Sequence, residues 1–418
     1  VFRVAEVAPT AGEGAPAVGD LVVAVNGRPA SAWADDNELF CELPLREQCD
    51  ADLFDSLRRE LLDWDRAQPL TFRVEHAGVA RDWAVPVRFD RSPPPARPRA
   101  ELPCGVGPSR YPGFAVAYRG AHACAFESRA RPGVVVLRID GFQYEDEDAA
   151  SWLRGDAELF FHNTYWRRRA PDVETLVVDV IGNHGGDAPI AWYELLLDAP
   201  FQEQYVRFKR FAELERPDLL EEIFWHDGGK QLWLDAVRRD GTFAATPVGA
   251  FLPPIPQFCA DRKQDCRATK WSPRAHGFRG DVRVLVDPEC VSSCVGFVWQ
   301  MRHALGDRAR LFGLPDSADS TFSRLAILAS PTASGDVLVE VGPRKRATNV
   351  TSPEPWVRQL VSVTASTDPE GRTISGVPQA LDAWVPRRWD DGADGWAAKA
   401  LAAALAAQPR ARRSPPRR

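Results

Sequence analysis

Val284-Leu-Val-Asp-Pro-Glu-Cys-Val-Ser-Ser-Cys-Val-Gly-Phe-Val-Trp-Gln-Met301 begins as an apolar strand and stops abruptly at a small-residue turn that carries Ser292 and opens a helix. A serine at such a turn is lifted clear of the sheet, and the first N–H groups of the helix, from Ser293 onward, point at the oxygen of an attacked carbonyl. Acyl transfer is the first chemistry this pattern raises. Cys294, Phe297, Val298, Met301 and Leu305 recur at spacings of three and four, so one helix face is apolar and packs on the sheet. Strand, turn and helix in this order predict an α/β fold.

A second segment, Thr175-Leu-Val-Val-Asp-Val-Ile-Gly-Asn-His-Gly-Gly-Asp187, is a buried strand ending in Gly182-Asn-His-Gly-Gly186. Adjacent glycines let the backbone approach a ligand closely and present an N–H to it. Ala188 to Leu197 reads as the following helix, with Ile190, Tyr193, Glu194 and Leu197 aligned, so alone the segment is equally a plain strand-to-helix turn.

Together with Gly133-Val-Val-Val-Leu-Arg-Ile-Asp-Gly-Phe142, the two segments resemble the tail-specific, or C-terminal-processing, serine peptidases in order and content. That family runs through a PDZ-like domain, a strand ending in Ser-Phe or Gly-Phe, a strand ending in Asn-x-Gly-Gly, the nucleophile turn, a hairpin and a closing Pro-x-Gly-Arg segment. Here the last reads Asp368-Pro-Glu-Gly-Arg-Thr-Ile-Ser-Gly376, with Asp382 near the end of the core. The resemblance implies an α/β (α+β) architecture, a ClpP/crotonase-like peptidase core of βα units behind an N-terminal PDZ-like domain. It also implies a serine endopeptidase acting on polypeptide, with no metal or other cofactor. Laid on this chain, the family's Ser-Ala-Ser-Ala-Ser-Glu turn puts the nucleophile on Ser292 rather than Ser293. The backbone of Ser293 and that of Gly185, with Gly186 beside it, would then form the oxyanion hole. The Cys290-x-Ser292-x-Cys294 frame is closer to the branch that holds the chlamydial protease-like activity factor and to tricorn-like enzymes.

One departure is chemical. Tail-specific enzymes take their base from a lysine in a Gly-Lys-Gly turn after the serine, and the corresponding Gly313-Leu-Pro-Asp-Ser-Ala-Asp-Ser-Thr-Phe322 has no lysine. A serine hydroxyl stays protonated unless a neighbouring base accepts its proton. The chlamydial and tricorn branches use a histidine from a segment preceding the PDZ-like domain and a glutamate after the nucleophile to orient it. Because the chain starts at Val1, already in a PDZ-like strand, it reads as a fragment or a processed product whose base lies upstream. Of the seven histidines, His184 is the internal candidate base, and Glu340, Glu354 and Glu370 are candidate orienters. His303 lies eleven positions along the helix, about 16 Å from the serine, too far for proton transfer. His76, His122, His162, His226 and His276 match no motif and are assigned surface or packing roles. Two rivals remain: a catalytically inactive peptide- or ligand-binding protein on the same fold, and an esterase of another α/β family, although Gly-x-Ser-x-Gly is absent.

Residues 1–90 form the PDZ-like part, carried by Val1-Phe-Arg-Val-Ala-Glu-Val-Ala-Pro9 and by Val18 to Pro29 with its Asn26-Gly27 hairpin turn. Leu53 to Trp64 reads as an amphipathic helix, and Pro69–Glu75 and Trp83–Arg88 as closing strands. Residues 91–117 form a proline-rich linker, 118–408 the peptidase core, and 409–418 a disordered basic tail. An aromatic-rich insertion at about 201–280 is either a lid or a packed domain edge. A formal net charge of −6 argues against nucleic-acid partners, and no apolar run is long enough for a membrane span. Eight cysteines fall in four near pairs, Cys41/Cys49, Cys104/Cys124, Cys259/Cys266 and Cys290/Cys294, which points to local disulfides and an exported protein: secreted, periplasmic or at the cell surface.

Overall fold

The computed structural model describes residues 2–4, 15–37, 69–85, 105–107, 109–120, 122–142, 156–186, 189–216, 220, 224, 228–257, 270–271, 277–318, 324–331, 337–343, 357–388 and 391–408. The chain divides into two compact units, one of residues 1–107 and 387–396, the other of 108–386 and 397–418. The helix read at Leu53–Trp64, the proline-rich stretch 91–100, the tail 409–418 and the Cys41/Cys49 and Cys259/Cys266 pairs lie outside the described residues.

The first unit contains β1 (Phe2–Arg3), β2 (Leu21–Val25), β3 (Arg28–Pro29), α1 (Ala30–Asn37), β4 (Leu70–His76) and β5 (Val79–Val85). Its antiparallel sheet runs β1-β2-β4-β5, and β3 folds back on β2. Asn26 and Gly27 both take positive φ, 49° and 78°, as a two-residue hairpin turn requires. The sequence placed the last strand at Trp83–Arg88, but it starts at Val79. Ala77 and Gly78 also take positive φ, so a tight turn brings Val79 opposite His76 at once. Val25, Ala30, Trp33, Leu70, Phe72 and Val74 fill the core of this unit.

The second unit is built on β6 (Ala115–Arg119), β7 (Ala123–Glu127), β8 (Val134–Ile139), β9 (Thr175–Asp179), β14 (Asp281–Val286), β15 (Ala309–Gly313) and β20 (Ala383–Trp384). They form one sheet in the order β20-β15-β14-β9-β8-β7-β6. From β20 to β8 neighbouring strands are parallel, whereas β7 and β6 are antiparallel additions. Residues of β9 and β15 are buried throughout, which is why these strands read as unbroken apolar runs rather than alternating ones. Helices α2 (Asp156–His162), α3 (Thr164–Arg169), α4 (Ile190–Leu196) and α6 (Ser293–Leu305) supply much of the rest of this core, including Phe160, Trp166, Trp192, Phe297 and Met301.

Within the insertion, β10 (Phe201–Gln202) pairs with β13 (Lys270–Trp271), and β11 (Tyr205–Phe208) lies between β12 (Ile255–Pro256) and β19 (Thr364–Thr367). Phe208, Phe224 and Trp233, the last on α5 (Gly228–Arg239), share a second apolar cluster with Leu214, Leu234 and Ile255. These aromatic rings are spent on packing. A third antiparallel sheet places β16 (Arg324–Pro331) between β17 (Val337–Pro343) and β18 (Val357–Ser362). The closing helix α7 spans Gly392–Ala406. Among the described residues no helix is long and apolar enough to cross a membrane.

Candidate active site

The turn that carries Ser292 leaves β14 at Asp287, whose carbonyl accepts the N–H of Cys290 at 3.1 Å. Ser292 then takes φ 57° and ψ −122°, and α6 begins at the next residue. A side chain with a β-carbon held at such a φ carries strain on the order of 1–3 kcal/mol, retained only where the surroundings over-determine it. Two features do so here. A Cys290–Cys294 disulfide spans the serine with Cα atoms 5.2 Å apart and both cysteines fully buried, and the N–H of Ser317 reaches the Cys290 carbonyl at 3.1 Å. The bridge is feasible because Cys290 lies in the turn and only Cys294 in the helix. Cys124 is also disulfide-bonded. Ser292 sits half-buried in the N-cap position, yet its hydroxyl caps nothing. The amide of Ser293, in the unsatisfied first turn, makes no hydrogen bond among the described residues.

The double-glycine turn packs directly on this serine. A β-carbon on Gly185 would lie 2.6 Å from the Val291 carbonyl oxygen, 3.0 Å from Ser292 Cβ and 3.1 Å from the Ser293 nitrogen, at a φ of 80°. Only glycine fits such an approach. The Ser293 hydroxyl donates to the Gly186 carbonyl at 3.2 Å, across 107 residues of sequence. Within the turn, however, the Gly185 N–H is already donated to Asn183 Oδ1 at 2.8 Å, and its carbonyl accepts the N–H of Phe142 at 3.0 Å. The amide of Gly186, which is exposed, makes no hydrogen bond among the described residues. Asn183, buried and anchored by its Nδ2 to the Ile139 carbonyl at 3.1 Å, sets the turn from behind.

Two buried aspartates support the turns. Asp179, at the end of β9, receives the Arg110 guanidinium at 2.9 and 3.2 Å and the Tyr111 hydroxyl at 2.5 Å, with Arg138 at 3.4 Å. Burial alone would raise its pKa, but Arg110 and Arg138 outweigh that and hold the carboxyl below the ordinary aspartate range. Burial and the Asp179 charge push Tyr111 well above the usual phenol value, so it remains a donor. Among the described residues no such cation is in contact with Asp287. Burial first, and the neighbouring Glu289 second, push it up to about 7, against a single N–H from Gly182 at 2.9 Å. A third buried carboxyl, Asp316, follows β15 and is raised by burial to about 6, although it accepts the amides of Ala318 and Gln379.

His184 is 74% exposed and its partner is Glu289, at 3.7 Å, rather than Ser292. Glu370 pairs with Arg372 at 3.2 Å. Glu340 lies on β17 opposite Leu328, and Glu354 falls outside the described residues. His303 stacks on Trp299 with ring centroids 4.6 Å apart, and His76 binds Asp20. Among the described residues no histidine, lysine or carboxylate hydrogen-bonds the Ser292 hydroxyl, and no group of side chains is arranged to hold a metal ion.

Sequence reading passed over the Arg110–Tyr111–Asp179–Arg138 network and Asp287. Their signal is a lone carboxylate closing an apolar run, Val-Val-Asp179 and Leu-Val-Asp287, where a fully buried strand has no evident need of charge. It also assigned His122 a bland role, yet His122 Nδ1 lies 3.1 Å from Asp140 Oδ1. A β-carbon on Gly141 would be 4.0 Å from both that nitrogen and the Gly185 carbonyl oxygen, so this pair borders the double-glycine turn.

No protein-family model and no curated protein matches the sequence. Solved structures do match. Mature CPAF, a chlamydial protease, in complex with lactacystin superposes with a TM-score of 0.57 at 16% identity, covering 93% of this chain and 78% of that one. A CPAF point mutant gives a TM-score of 0.56 at 15% identity over 94% and 77% of the two chains. Mature CPAF without the inhibitor gives 0.53 at 14% identity over 93% and 76%. The chain has the fold of CPAF.

Proposed function

We propose that this protein is a serine hydrolase that cleaves peptide bonds, with Ser292 as nucleophile. One observation carries the reading: two turns distant in sequence meet so that an uncapped, half-buried serine at φ 57° lies against a double-glycine bend. In the reaction the Ser292 oxygen attacks the carbonyl carbon of the scissile bond and the carbonyl oxygen takes up the negative charge; collapse of this intermediate breaks the C–N bond, the amine leaves with the proton taken from Ser292, and water hydrolyses the resulting ester to free the acid and the serine. The free amides of Ser293 and Gly186 supply donors to that oxygen, and removing one such donor typically costs about 100- to 1000-fold in rate. Gly185 serves by being small enough to admit the serine. His184 is turned to Glu289 at 3.7 Å, and the reaction requires a base that takes the Ser292 proton. The likeness to CPAF supports a polypeptide substrate, the first unit is proposed to be PDZ-like, and the Cys290–Cys294 disulfide supports an exported protein.

The test is a fluorophosphonate probe applied to the longest natural form of the protein. Covalent labelling that vanishes in Ser292→Ala and persists in Ser293→Ala is the expected result. Labelling that persists in Ser292→Ala overturns the assignment of the nucleophile. Absence of labelling with retained binding of unfolded peptides would instead establish an inactive peptide-binding protein on this fold.

A further inference from the structure

Asp287 stands where the two turns of the site are joined. Its main chain starts the nucleophile turn, since its carbonyl accepts the Cys290 N–H. Its side chain reaches the other turn, where Oδ1 accepts the N–H of Gly182, the first residue of the Gly182–Gly186 bend, at 2.9 Å. A second contact runs alongside: Glu289 approaches Gly182 closely, 3.3 Å from where its β-carbon would be, and faces His184 at 3.7 Å. Gly182 takes φ 75°, so a larger residue cannot replace this contact from the glycine side.

We propose, building on the hydrolase reading above, that Asp287 is a positioning residue that fixes the Gly182–Gly186 turn against the Ser292 turn. A buried carboxyl without a contacting cation costs stability when ionised, and an amide of the same shape would accept the same N–H without that cost. The charged groups facing it act in both directions: Glu289 on its own turn and Asp179 on β9 oppose ionisation, and Arg138 on β8 favours it. Two further groups border the same turns: His184, opposite Glu289, and Asp316, whose neighbour Ser317 holds Cys290. Ionised Asp287 would be repelled by Glu289 and would set a negative charge behind the very turn whose amide is to receive an oxyanion. The neutral form holds the turns without either penalty.

Full-length protein, Asp287→Asn and Asp287→Ala are compared by fluorophosphonate labelling rate from pH 5 to 9 and by amide hydrogen exchange of residues 180–186. Asp287→Ala, which orphans the Gly182 N–H, is expected to label about tenfold or more slowly at pH 6 and to exchange faster across the segment. Asp287→Asn keeps an acceptor, so it labels at pH 6 within about threefold of wild type, and its rate relative to wild type rises by at least about threefold above pH 7. A rate ratio flat across pH, or Asp287→Ala matching wild type in both measurements, overturns the proposal. If wild type shows no Ser292-dependent labelling, the hydrolase reading falls on its own. Exchange then decides for Asp287, because protection unchanged in Asp287→Ala overturns its positioning role as well.

Discussion

Asp179 and Asp287 are both aspartates, both buried, and both stand where adjacent parallel strands give way to the turns of the site, yet their surroundings move their pKa values in opposite directions. Asp179 sits among two guanidiniums and a phenol and stays ionised, whereas Asp287 has one backbone N–H and a carboxylate neighbour and titrates near neutrality. The contrast separates two uses of the same side chain. A fully paired charge makes a rigid floor, since any movement would strand Arg110 and Arg138. An unpaired carboxyl makes a joint whose strength depends on whether a proton is present.

The contrast can be broken hardest at the floor. Asp179→Ala removes the carboxylate that two buried guanidiniums share and should cost about 3–5 kcal/mol of stability, read as a lower denaturation midpoint in urea. A loss under about 1 kcal/mol would mean the network is not what holds the strand ends. Next in size, Gly185→Ala drives a methyl into the Val291 carbonyl at a positive φ, which should cost about 1–3 kcal/mol and abolish labelling of Ser292. Replacing both Cys290 and Cys294 by serine removes a five-residue loop closure worth about 2 kcal/mol, seen as a lower melting temperature. If the double variant melts lower without labelling more slowly, the bridge supports the fold and not the strained serine.

The smallest effect sharpens the comparison most, through pH. The Asp287 pKa is raised in the folded state, so its contribution to stability is fully present below the ordinary aspartate pKa and is lost as pH rises through about 7. Asp287→Asn should therefore melt a few degrees above wild type at pH 8, with the difference shrinking toward pH 4. The Asp179 pKa is lowered, so its contribution is present above the ordinary aspartate pKa and is lost as pH falls through the folded value. A pH-independent gain in Asp287→Asn would show that both aspartates are ionised, and the distinction between floor and joint would disappear.

Much of this arrangement is legible along the chain. The three-and-four spacing of Cys294, Phe297, Val298, Met301 and Leu305 yields the helix Ser293–Leu305, with each of these side chains buried. Val177 and Val178 sit in a run buried on both faces, and Asn26-Gly27 makes the turn its residue types favour. Other features were out of reach. Glycines at 185 and 186 look alike in sequence, but Asn183 engages the amide of the first, while that of the second makes no hydrogen bond among the described residues. His184 looks close to the chemistry because it lies between glycines, whereas its ring turns to Glu289. The rings of the insertion read equally as a lid or as packing until Phe208, Phe224 and Trp233 are seen sharing one cluster.

The sequence by itself determined the apolar strands, the glycine turns and a serine at the mouth of a helix, because periodicity and chain reversal depend on residues within a few positions of one another. Only the tertiary structure decided which amide is free, which aspartate carries a charge and which turn touches which. Hydrogen-bond partners and dielectric surroundings are set by groups that meet across a hundred residues, and no local pattern records them.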